Sequence, residues 1–383
     1  MQNTRIASDR PDVRPASDRP DVRPVCDRPA VRPACDKVHV PSVSPSPTRP
    51  LLKWAGGKRQ LLPALRQHYP ASFSRYIEPF LGSGAVFFDL FSAGRLGGRA
   101  VRLADSNPDL IGCYRAVRDE PEAVIAALAE LEHEHRARGS ECYYEVRDGR
   151  FNPARALGSK TPYEPGLAAM FIYLNRTGFN GLFRLNRNGG FNVPAGRYAD
   201  PKICDGDHVR SVARALSAPG VSLECLPFEK SLTDAHEGDF IYCDPPYAPV
   251  SKTAHFAHYT AGGFSEADHR RLLAALVASV RRGAMVLLSN SSAPAMAKAY
   301  GASAVQEAGL TVRRVPARRA INSRASLRGP VQELIVTNAP ASGVRDVPIR
   351  MLRAGLGAGD PYQLPATRQA KASRRSETKV TYP

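Results

Sequence analysis

Short β-rich runs recur along the middle of the chain and constrain its fold more than any other feature. They are RYIEPF (75–80), AVRLAD (100–105), VSLECL (221–226), DFIYCD (239–244), AMVLLSN (284–290) and ELIVTN (333–338). Helical patterns, such as those at 121–135 and 266–282, lie among them. Strands that alternate with helices predict an α/β fold built on an open, largely parallel sheet covered on both faces.

The chain is strongly basic. Its 383 residues carry a formal net charge of +17, with a pI near 9.8. Clustered lysine and arginine gain free energy by releasing counterions from phosphates, so the charge favours nucleic acid as a partner; a solvated basic surface is the alternative. No apolar run is long enough to span a bilayer, and the N-terminus lacks the apolar core of a signal peptide. We therefore expect a cytoplasmic protein without a membrane partner.

Neither the cysteines nor the histidines predict a metal site. The seven cysteines lack CxxC spacing, which fits reduced thiols better than a disulfide framework or a zinc site. His133, Glu134 and His135 lie in a polar helical stretch without further ligands nearby, so we interpret them as a solvated helix face. No metal is expected.

The two ends of the chain differ from its middle. Residues 7–33 repeat a nine-residue unit, ASDRPDVRP, which is rich in proline and poor in large apolar side chains and therefore predicts disorder. The C-terminal end also lacks periodicity and is again basic. A central segment is helical at first and then rich in Asn, Arg, Gly and aromatic residues. The predicted domains are an arm (1–49), two halves of the sheet domain (50–110 and 215–340), a recognition insertion between them (111–214) and a flexible tail (341–383).

The stretch YIEPFLGSGAVFFDL predicts a strand that runs through a glycine turn into an apolar helix. Gly82 and Gly84 allow a tight turn and let a ligand approach the backbone at a helix N-terminus. Asp105 ends the next apolar run, where a carboxylate can accept both hydroxyls of a ribose. This pattern indicates a nucleoside site. A dinucleotide cofactor is the rival, but Phe87 stands where GxGxxG has its third glycine.

The stretch LLKWAGGKRQLL adds a second part to this site. Residues 55–57 can bend so that successive N–H groups point at an anion, while Lys58 adds positive charge and Trp54 a flat apolar wall. A nucleoside that carries an amino acid, such as S-adenosylmethionine, suits that pocket. The alternative is a capped turn that opens the first helix, with Trp54 as ordinary core.

The stretch IYCDPPYAPVS ends a buried strand with a carboxylate and two prolines. Proline fixes φ and removes a donor, so the backbone is held extended with its carbonyls free to accept. The Asp244 carboxylate and the Pro245 carbonyl can accept the two hydrogens of an aromatic amine, and Tyr247 can stack on its ring. Such a corner is suited to an adenine amine, and the chemistry needs neither a metal nor a strong base.

These motifs together resemble the Dam family of DNA adenine N6-methyltransferases, the subgroup whose recognition region lies between the cofactor motif and DPPY. The resemblance runs from about Leu51 to Asn338. It rests on KWAGGK (53–58), EPFLGSG (78–84), LADSN (103–107), YLNRTGFNGLFRLN (173–186), FNVPAGRY (191–198), YCDPPYAP (242–249) and LLSN (287–290). DPPY by itself is less specific, since related motifs serve cytosine N4 and glutamine methylation.

The resemblance implies a Rossmann-like methyltransferase sheet with an inserted, mainly helical recognition domain, in a bacterial or phage-encoded enzyme. It implies S-adenosylmethionine as cofactor, double-stranded DNA as partner, and a target adenine that is flipped out of the duplex. The cofactor contacts it implies are Trp54, Lys58, Phe80, Gly82, Gly84, Asp105 and Asp244. The residues it implies around the flipped adenine are Asp244, Pro245, Pro246 and Tyr247.

In the recognition segment, Arg184 follows the NGL turn at the position where such enzymes read a guanine. Its guanidinium fork matches guanine O6 and N7 in the major groove. Phe179 stands where an aromatic wedges into the base stack. Asn180, Lys53 and Tyr198 also match DNA-contacting positions. The alternatives are that Phe179 belongs to the core and that Arg184 contacts phosphate. Downstream, Arg324 and Arg328 either grip phosphates or are solvated.

The matches favour GATC as the target, although the residues around Arg184 leave an altered or relaxed specificity open. Two other functions stay open from the sequence: cytosine-N4 or RNA methylation, and DNA binding without catalysis. The aspartate of DPPY favours adenine, because serine is commoner there among the cytosine enzymes. The sequence does not distinguish restriction-modification from phage or chromosomal roles, nor does it predict an oligomeric state.

Overall fold

The computed structural model describes residues 47–54, 56–157, 163–247, 264–318 and 330–339. The predicted tail, all but the end of the predicted arm, and the arginines at 324 and 328 lie outside these residues. None of the described helices has the length and apolar character needed to cross a membrane.

The described strands form one seven-stranded sheet. They are β1 (Arg75–Glu78), β2 (Ala100–Asp105), β3 (Val221–Cys225), β4 (Asp239–Cys243), β5 (Met285–Ser291), β6 (Thr311–Arg318) and β7 (Pro330–Thr337). Their order is β3-β2-β1-β4-β5-β7-β6. The first five are parallel, whereas β7 pairs antiparallel with β5 and β6 pairs antiparallel with β7. The predicted α/β fold is therefore confirmed.

Strand β6 was not predicted from the sequence. Its run, TVRRVPAR, contains Pro316 and two consecutive arginines, Arg313 and Arg314, whose side chains are exposed. Proline and exposed charge are tolerated there because β6 is the edge strand and hydrogen-bonds to β7 on one side only.

Helices cover the sheet and build the segment between β2 and β3. They are α1 (Leu62–Arg66), α2 (Ala85–Ser92), α3 (Pro108–Asp119), α4 (Pro121–Arg138), α5 (Ser140–Tyr144), α6 (Asn152–Leu157), α7 (Pro165–Thr177), α8 (Gly206–Leu216), α9 (Phe228–Leu232), α10 (Glu266–Arg281), α11 (Pro294–Tyr300) and α12 (Ser303–Glu307). A π-helical segment, Glu145–Phe151, joins α5 to α6. Helices α3 and α8 run across the predicted domain limits at 110 and 214.

The core lies on both faces of the sheet. Every residue of β4 is buried, as expected for a central parallel strand. Phe240 and Tyr242 belong to one hydrophobic cluster, and the alternating Ile241 and Cys243 belong to another. The first cluster extends through α3 and α7 to Phe183, so the recognition segment shares a core with the sheet.

The helix that carries the two neighbouring histidines is less solvated than predicted. His133 is exposed, but His135 packs against α7, where its Nδ1 lies 2.8 Å from the hydroxyl of Tyr173. The side chain of His135 is therefore part of a polar contact between α4 and α7, and not of a solvated helix face. In the part of the chain that the structure covers, no three His, Cys, Asp or Glu side chains are grouped to hold a metal, and the described cysteines are free thiols.

Candidate active site

The sheet order brings the cofactor and DPPY motifs to one edge. Strands β2 and β4 flank β1 on either side, and all three are parallel. Their carboxyl ends therefore meet at the same edge, which is where ligands bind in open α/β sheets. Asp105 ends β2, Asp244 follows β4, and the glycine turn at 82–84 follows β1.

The glycine turn has the backbone conformation that its sequence predicts. Gly82 (φ 48°) and Gly84 (φ 67°) both have positive φ, and Gly84 precedes the first residue of α2. A Cβ at Gly82 would stand 2.9 Å from Cδ1 of Trp54, so only glycine allows this close approach. Trp54 is half-buried and stacks on Phe183 with ring centroids 6.0 Å apart.

Asp105 is tied to the glycine turn through its own oxygens. Its Oδ2 accepts from the backbone N–H of Gly82 at 3.1 Å, and its Oδ1 accepts from that of Asn107 at 2.9 Å. Burial raises the pKa of Asp105 to about 6, although these backbone donors oppose the rise. The backbone N–H of Ser106 also acts on the carboxylate. The carboxylate thus faces the turn that the sequence predicts for a nucleoside.

Phe80 contributes an aromatic surface next to the turn. Its ring stacks on Phe228 at 5.5 Å and meets Phe264 edge-on at 5.7 Å. Phe228 begins α9, directly after β3, and was not predicted as a site residue. The signal available in the sequence was an aromatic residue just after the strand next to β2.

The KWAGGK segment differs from the predicted anion-binding turn. The Gly57 N–H donates to the Trp54 carbonyl at 2.9 Å, so it closes a turn and does not point at a ligand. Lys58 is buried, with 5% of its side chain exposed, and its Nζ donates to the Gly56 carbonyl at 2.6 Å. The same Nζ lies 2.6 Å from Oδ1 of Asp244. The lysine therefore joins the cofactor motif to the DPPY corner.

Asp244 is the centre of that corner. Besides Lys58, the hydroxyl of Ser289 on β5 donates to its Oδ1 at 3.2 Å. Burial raises the pKa of Asp244 to about 6, while the charge of Lys58 and its hydrogen bond oppose the rise. Pro245 is buried and Pro246 is half-buried. Among the described residues, no donor contacts the carbonyl of Pro245. The corner thus presents a carboxylate and a carbonyl next to each other.

Tyr247 completes the corner. Its hydroxyl donates to Oε2 of Glu333 on β7 at 2.7 Å, and Nζ of Lys58 lies 4.4 Å from the centre of its ring. Burial raises the pKa of the Tyr247 hydroxyl well above its usual value, so it stays a donor. Ser289 and Glu333 were both missed from the sequence. Ser289 falls within the LLSN motif. The sequence signal for Glu333 as a site residue is weaker, because it is only a charged residue at the start of the buried run ELIVTN.

Four of the five predicted DNA-contacting residues, all but Lys53, lie on a turn and two extended stretches after α7. Phe179 is 42% exposed and Tyr198 is 39% exposed, so the alternative that Phe179 belongs to the core is wrong. Asn180 follows with φ 55°, the one positive φ outside glycine among the described residues. The stretches are held together by isolated bridges between Gly178 and Ala195 and between Leu185 and Phe191.

Arg184 is exposed and already oriented. Its Nε donates to Oδ1 of Asn192 at 2.8 Å, and its Nη2 donates to the Asn192 carbonyl at 3.1 Å. Asn192 therefore holds one edge of the guanidinium from the opposite stretch. The side chain is positioned to meet a polar partner in solvent, and Asn192 was not predicted to act on it.

Lys53 lies beside the same surface. Its Nζ is 4.2 Å from the centre of the Tyr198 ring, and burial, with the charge of Arg176, lowers its pKa. The buried amide of Asn175 accepts from the Lys53 N–H at 2.8 Å and donates to the carbonyls of Lys53 and Gly181 at 2.6 and 3.0 Å. One side chain thus fastens the segment before Trp54 to the turn that carries Phe179.

A family model described as D12 class N6 adenine-specific DNA methyltransferase matches residues 54–312, which is more than half of the chain and includes Asp105 and Asp244. The chain belongs to this family. The resemblance and the enzyme class inferred from the sequence motifs are therefore confirmed.

Curated relatives of this D12-class methyltransferase agree with the family. A type II methyltransferase, M1.LlaDCHI from Lactococcus lactis subsp. cremoris, is 38% identical over 76% of this chain and 95% of its own length. The DNA adenine methylase of Escherichia coli K12 is 35% identical over 76% of this chain and 96% of its own. The DNA N-6-adenine-methyltransferase of Escherichia phage P1 is 34% identical over 75% of this chain, which spans 35% of that protein.

The match to a solved structure is more distant. A precorrin-6y C5,15-methyltransferase from Geobacter metallireducens is 10% identical, with a TM-score of 0.31. The match covers 76% of this chain and 97% of that protein. The strand order of the D12-class methyltransferase, not this likeness, carries the fold assignment.

Proposed function

We propose that this D12-class methyltransferase transfers a methyl group from S-adenosylmethionine to N6 of an adenine flipped out of double-stranded DNA, within GATC. One observation carries the proposal: Asp105 with its glycine turn and the Asp244 corner stand on either side of β1 at a single sheet edge. A donor and an acceptor of the methyl group can therefore be bound side by side.

The residues at the edge fit the cofactor. Asp105 is suited to ribose hydroxyls, because its carboxylate oxygens are hydrogen-bond acceptors and lie at the glycine turn. Gly82 and Gly84 form the tight turn with positive φ, which lets Trp54 pack against Gly82, and Trp54 and Phe80 supply apolar surface. When bound, S-adenosylmethionine supplies an electrophilic methyl group. Lys58 is the cation of this site, and its ion pair with Asp244 places positive charge between the two halves.

The DPPY corner fits the amine of adenine. Its nitrogen is a poor nucleophile because the lone pair is delocalised into the ring. Asp244 and the Pro245 carbonyl accept the two amine hydrogens, which draws electron density onto nitrogen and orients it. The Lys58 ammonium favours the charged form of Asp244 despite its burial. Tyr247 stacks on the base and Pro246 keeps the corner extended.

The recognition surface fits duplex DNA. An adenine amine cannot meet the methyl donor while it is paired inside a duplex, so the base must leave the stack. The exposed ring of Phe179 is suited to fill the gap, with Asn180 next to it. Arg184 is suited to read a guanine in the major groove, and Lys53 and Tyr198 to contact the adjacent backbone.

The domain roles follow from these positions. We assign cofactor binding to residues 50–110, recognition to 111–214 and the amine pocket to 215–340. Because the substrate is genomic or phage DNA, we place the enzyme in the bacterial cytoplasm, with a type II modification role that fits the name of M1.LlaDCHI.

The test is incubation of the full chain with methyl-labelled S-adenosylmethionine and unmethylated duplexes that differ only at one base of GATC. N6-methyladenine in the GATC duplex alone is the expected product. Label found only in cytosine or RNA favours the related methyltransferases, and DNA binding without label favours a silent binder. Methylation of the altered duplexes at an equal rate rejects GATC while leaving adenine methylation intact.

A further inference from the structure

A carboxylate outside every recognised motif contacts the amine pocket. Glu333 lies on β7 opposite Ser291 of β5, and Ser289 lies two residues earlier on the same face of β5. Ser289 donates to Asp244 at 3.2 Å, whereas Glu333 accepts from Tyr247 at 2.7 Å. Strand β5 therefore supports Asp244, and strand β7 supports Tyr247.

These contacts form a continuous chain across the pocket. It runs from Glu333 to the Tyr247 hydroxyl, from the Tyr247 ring to the Lys58 ammonium at 4.4 Å, and from Lys58 to Asp244 at 2.6 Å. Tyr247 has only two side-chain torsions, so a bond to its hydroxyl, with a cation over its face, fixes the plane of the ring. The ring plane is the quantity that decides how a stacked base presents its amine to Asp244.

We propose that Glu333 is a positioning residue that holds the ring of Tyr247 in the orientation in which an extruded adenine stacks with its amine at Asp244. This inference rests on the proposed function. The hydrogen bond is charge-assisted and lies between two half-buried side chains, which makes it stronger than a neutral one at the surface. Glu333 touches neither the amine nor the methyl donor, so it acts through Tyr247.

The experiment is a double-mutant cycle on the full chain. Tyr247→Phe keeps the ring and removes the hydroxyl, Glu333→Ala removes the acceptor, and Glu333→Gln keeps an acceptor without the charge. Gln332→Ala is the matched control, because Gln332 is exposed on the opposite face of the same strand. Single-turnover methylation is measured together with cofactor affinity and the fluorescence of 2-aminopurine placed at the target base.

Glu333→Ala and Tyr247→Phe are each expected to lower the methylation rate about 10- to 100-fold, the range of a lost charge-assisted hydrogen bond. The double variant is expected to be no slower than the slower single variant, because both remove the same contact. Glu333→Gln is expected to lose less than about tenfold. In the variants that lose the contact, 2-aminopurine is expected to be brighter, since the flipped base is stacked less firmly, while cofactor affinity is unchanged.

Losses that multiply in the double variant, or a Glu333→Ala variant as fast as Gln332→Ala, would overturn the role of Glu333. If Glu333→Ala does not fold, the cycle of Glu333→Gln with Tyr247→Phe decides in the same way. A wild-type enzyme that forms no N6-methyladenine refutes the proposed function, and this inference with it. An active wild type with an uncoupled pair refutes the inference alone.

Discussion

Replacing Asp244 by asparagine separates what its charge does for stability from what it does for catalysis. Lys58 is 5% exposed and Asp244 is 19% exposed, and their charged atoms are 2.6 Å apart. In Asp244→Asn the ammonium keeps the Gly56 carbonyl but loses its carboxylate partner. Removing one partner of a buried pair costs about 3–5 kcal/mol. Because Asp244 keeps some exposure and Lys58 keeps one acceptor, we expect about 2–3 kcal/mol.

The loss of methylation rate in Asp244→Asn should be larger than the loss of stability. A second substitution that restores the stability should not restore the rate. Asparagine presents no negative charge to the amine, and losing one such group in an active site lowers the rate about 10²- to 10³-fold. In Lys58→Met/Asp244→Asn neither buried charge remains, so most of the stability should return while the activity stays low. Glu266→Gln, in an exposed pair with Arg270, is the control and should change stability by less than about 1 kcal/mol.

Urea unfolding measures the first effect, and single-turnover methylation with DNA-binding anisotropy measures the second. Asp244→Asn should still bind DNA. A variant that keeps more than a tenth of the wild-type rate would refute the role of the Asp244 charge. A double variant no more stable than Asp244→Asn would refute the assignment of the stability loss to the unpaired ammonium of Lys58.

Four further perturbations test the rest of the site. The pH–rate profile should fall below about pH 6, because burial raises the pKa of Asp244 to about 6 and its protonation removes the negative charge that faces the amine; a rate that is flat down to pH 5 contradicts this. In Lys58→Met that acid limb should move to higher pH, since Lys58 opposes the rise. Asp105→Asn should weaken S-adenosylmethionine binding about tenfold or more by calorimetry with DNA affinity kept, and unchanged cofactor affinity removes it from the ribose site. Arg184→Ala should reduce discrimination at one base pair by about 1–3 kcal/mol in competition between duplexes, and a uniform loss for every sequence instead marks a phosphate contact.

Much of the fold could be predicted from local pattern. AVRLAD coincides with β2, and the buried runs before Asp244 and through LLSN are central strands. These predictions succeed because central parallel strands are mostly buried and therefore mostly apolar. Strand β6 was not predicted, for the opposite reason. It is an edge strand that contains proline and arginine, so it lacks the buried apolar run by which the other strands were recognised.

Some residues of the candidate site could likewise be predicted from the sequence, and others could not. Gly82 and Gly84 could be predicted because a positive φ is a local demand that one residue type meets. Phe179 and Arg184 were placed by motif, and their exposure agrees with a binding surface. The supporting residues could not be predicted: Asn175, Asn192, Ser289 and Glu333 are polar side chains whose partners come from other elements.

From the sequence by itself came the alternation of strands and helices, the turn chemistry and the family, because each is written in neighbouring residues. Only the tertiary structure decided that Lys58 pairs with Asp244 and that Tyr247 is anchored on β7. The physical reason is that sheet order brings together residues that are far apart in the chain. A side chain's charge and hydrogen bonds then depend on those neighbours, which no local pattern contains.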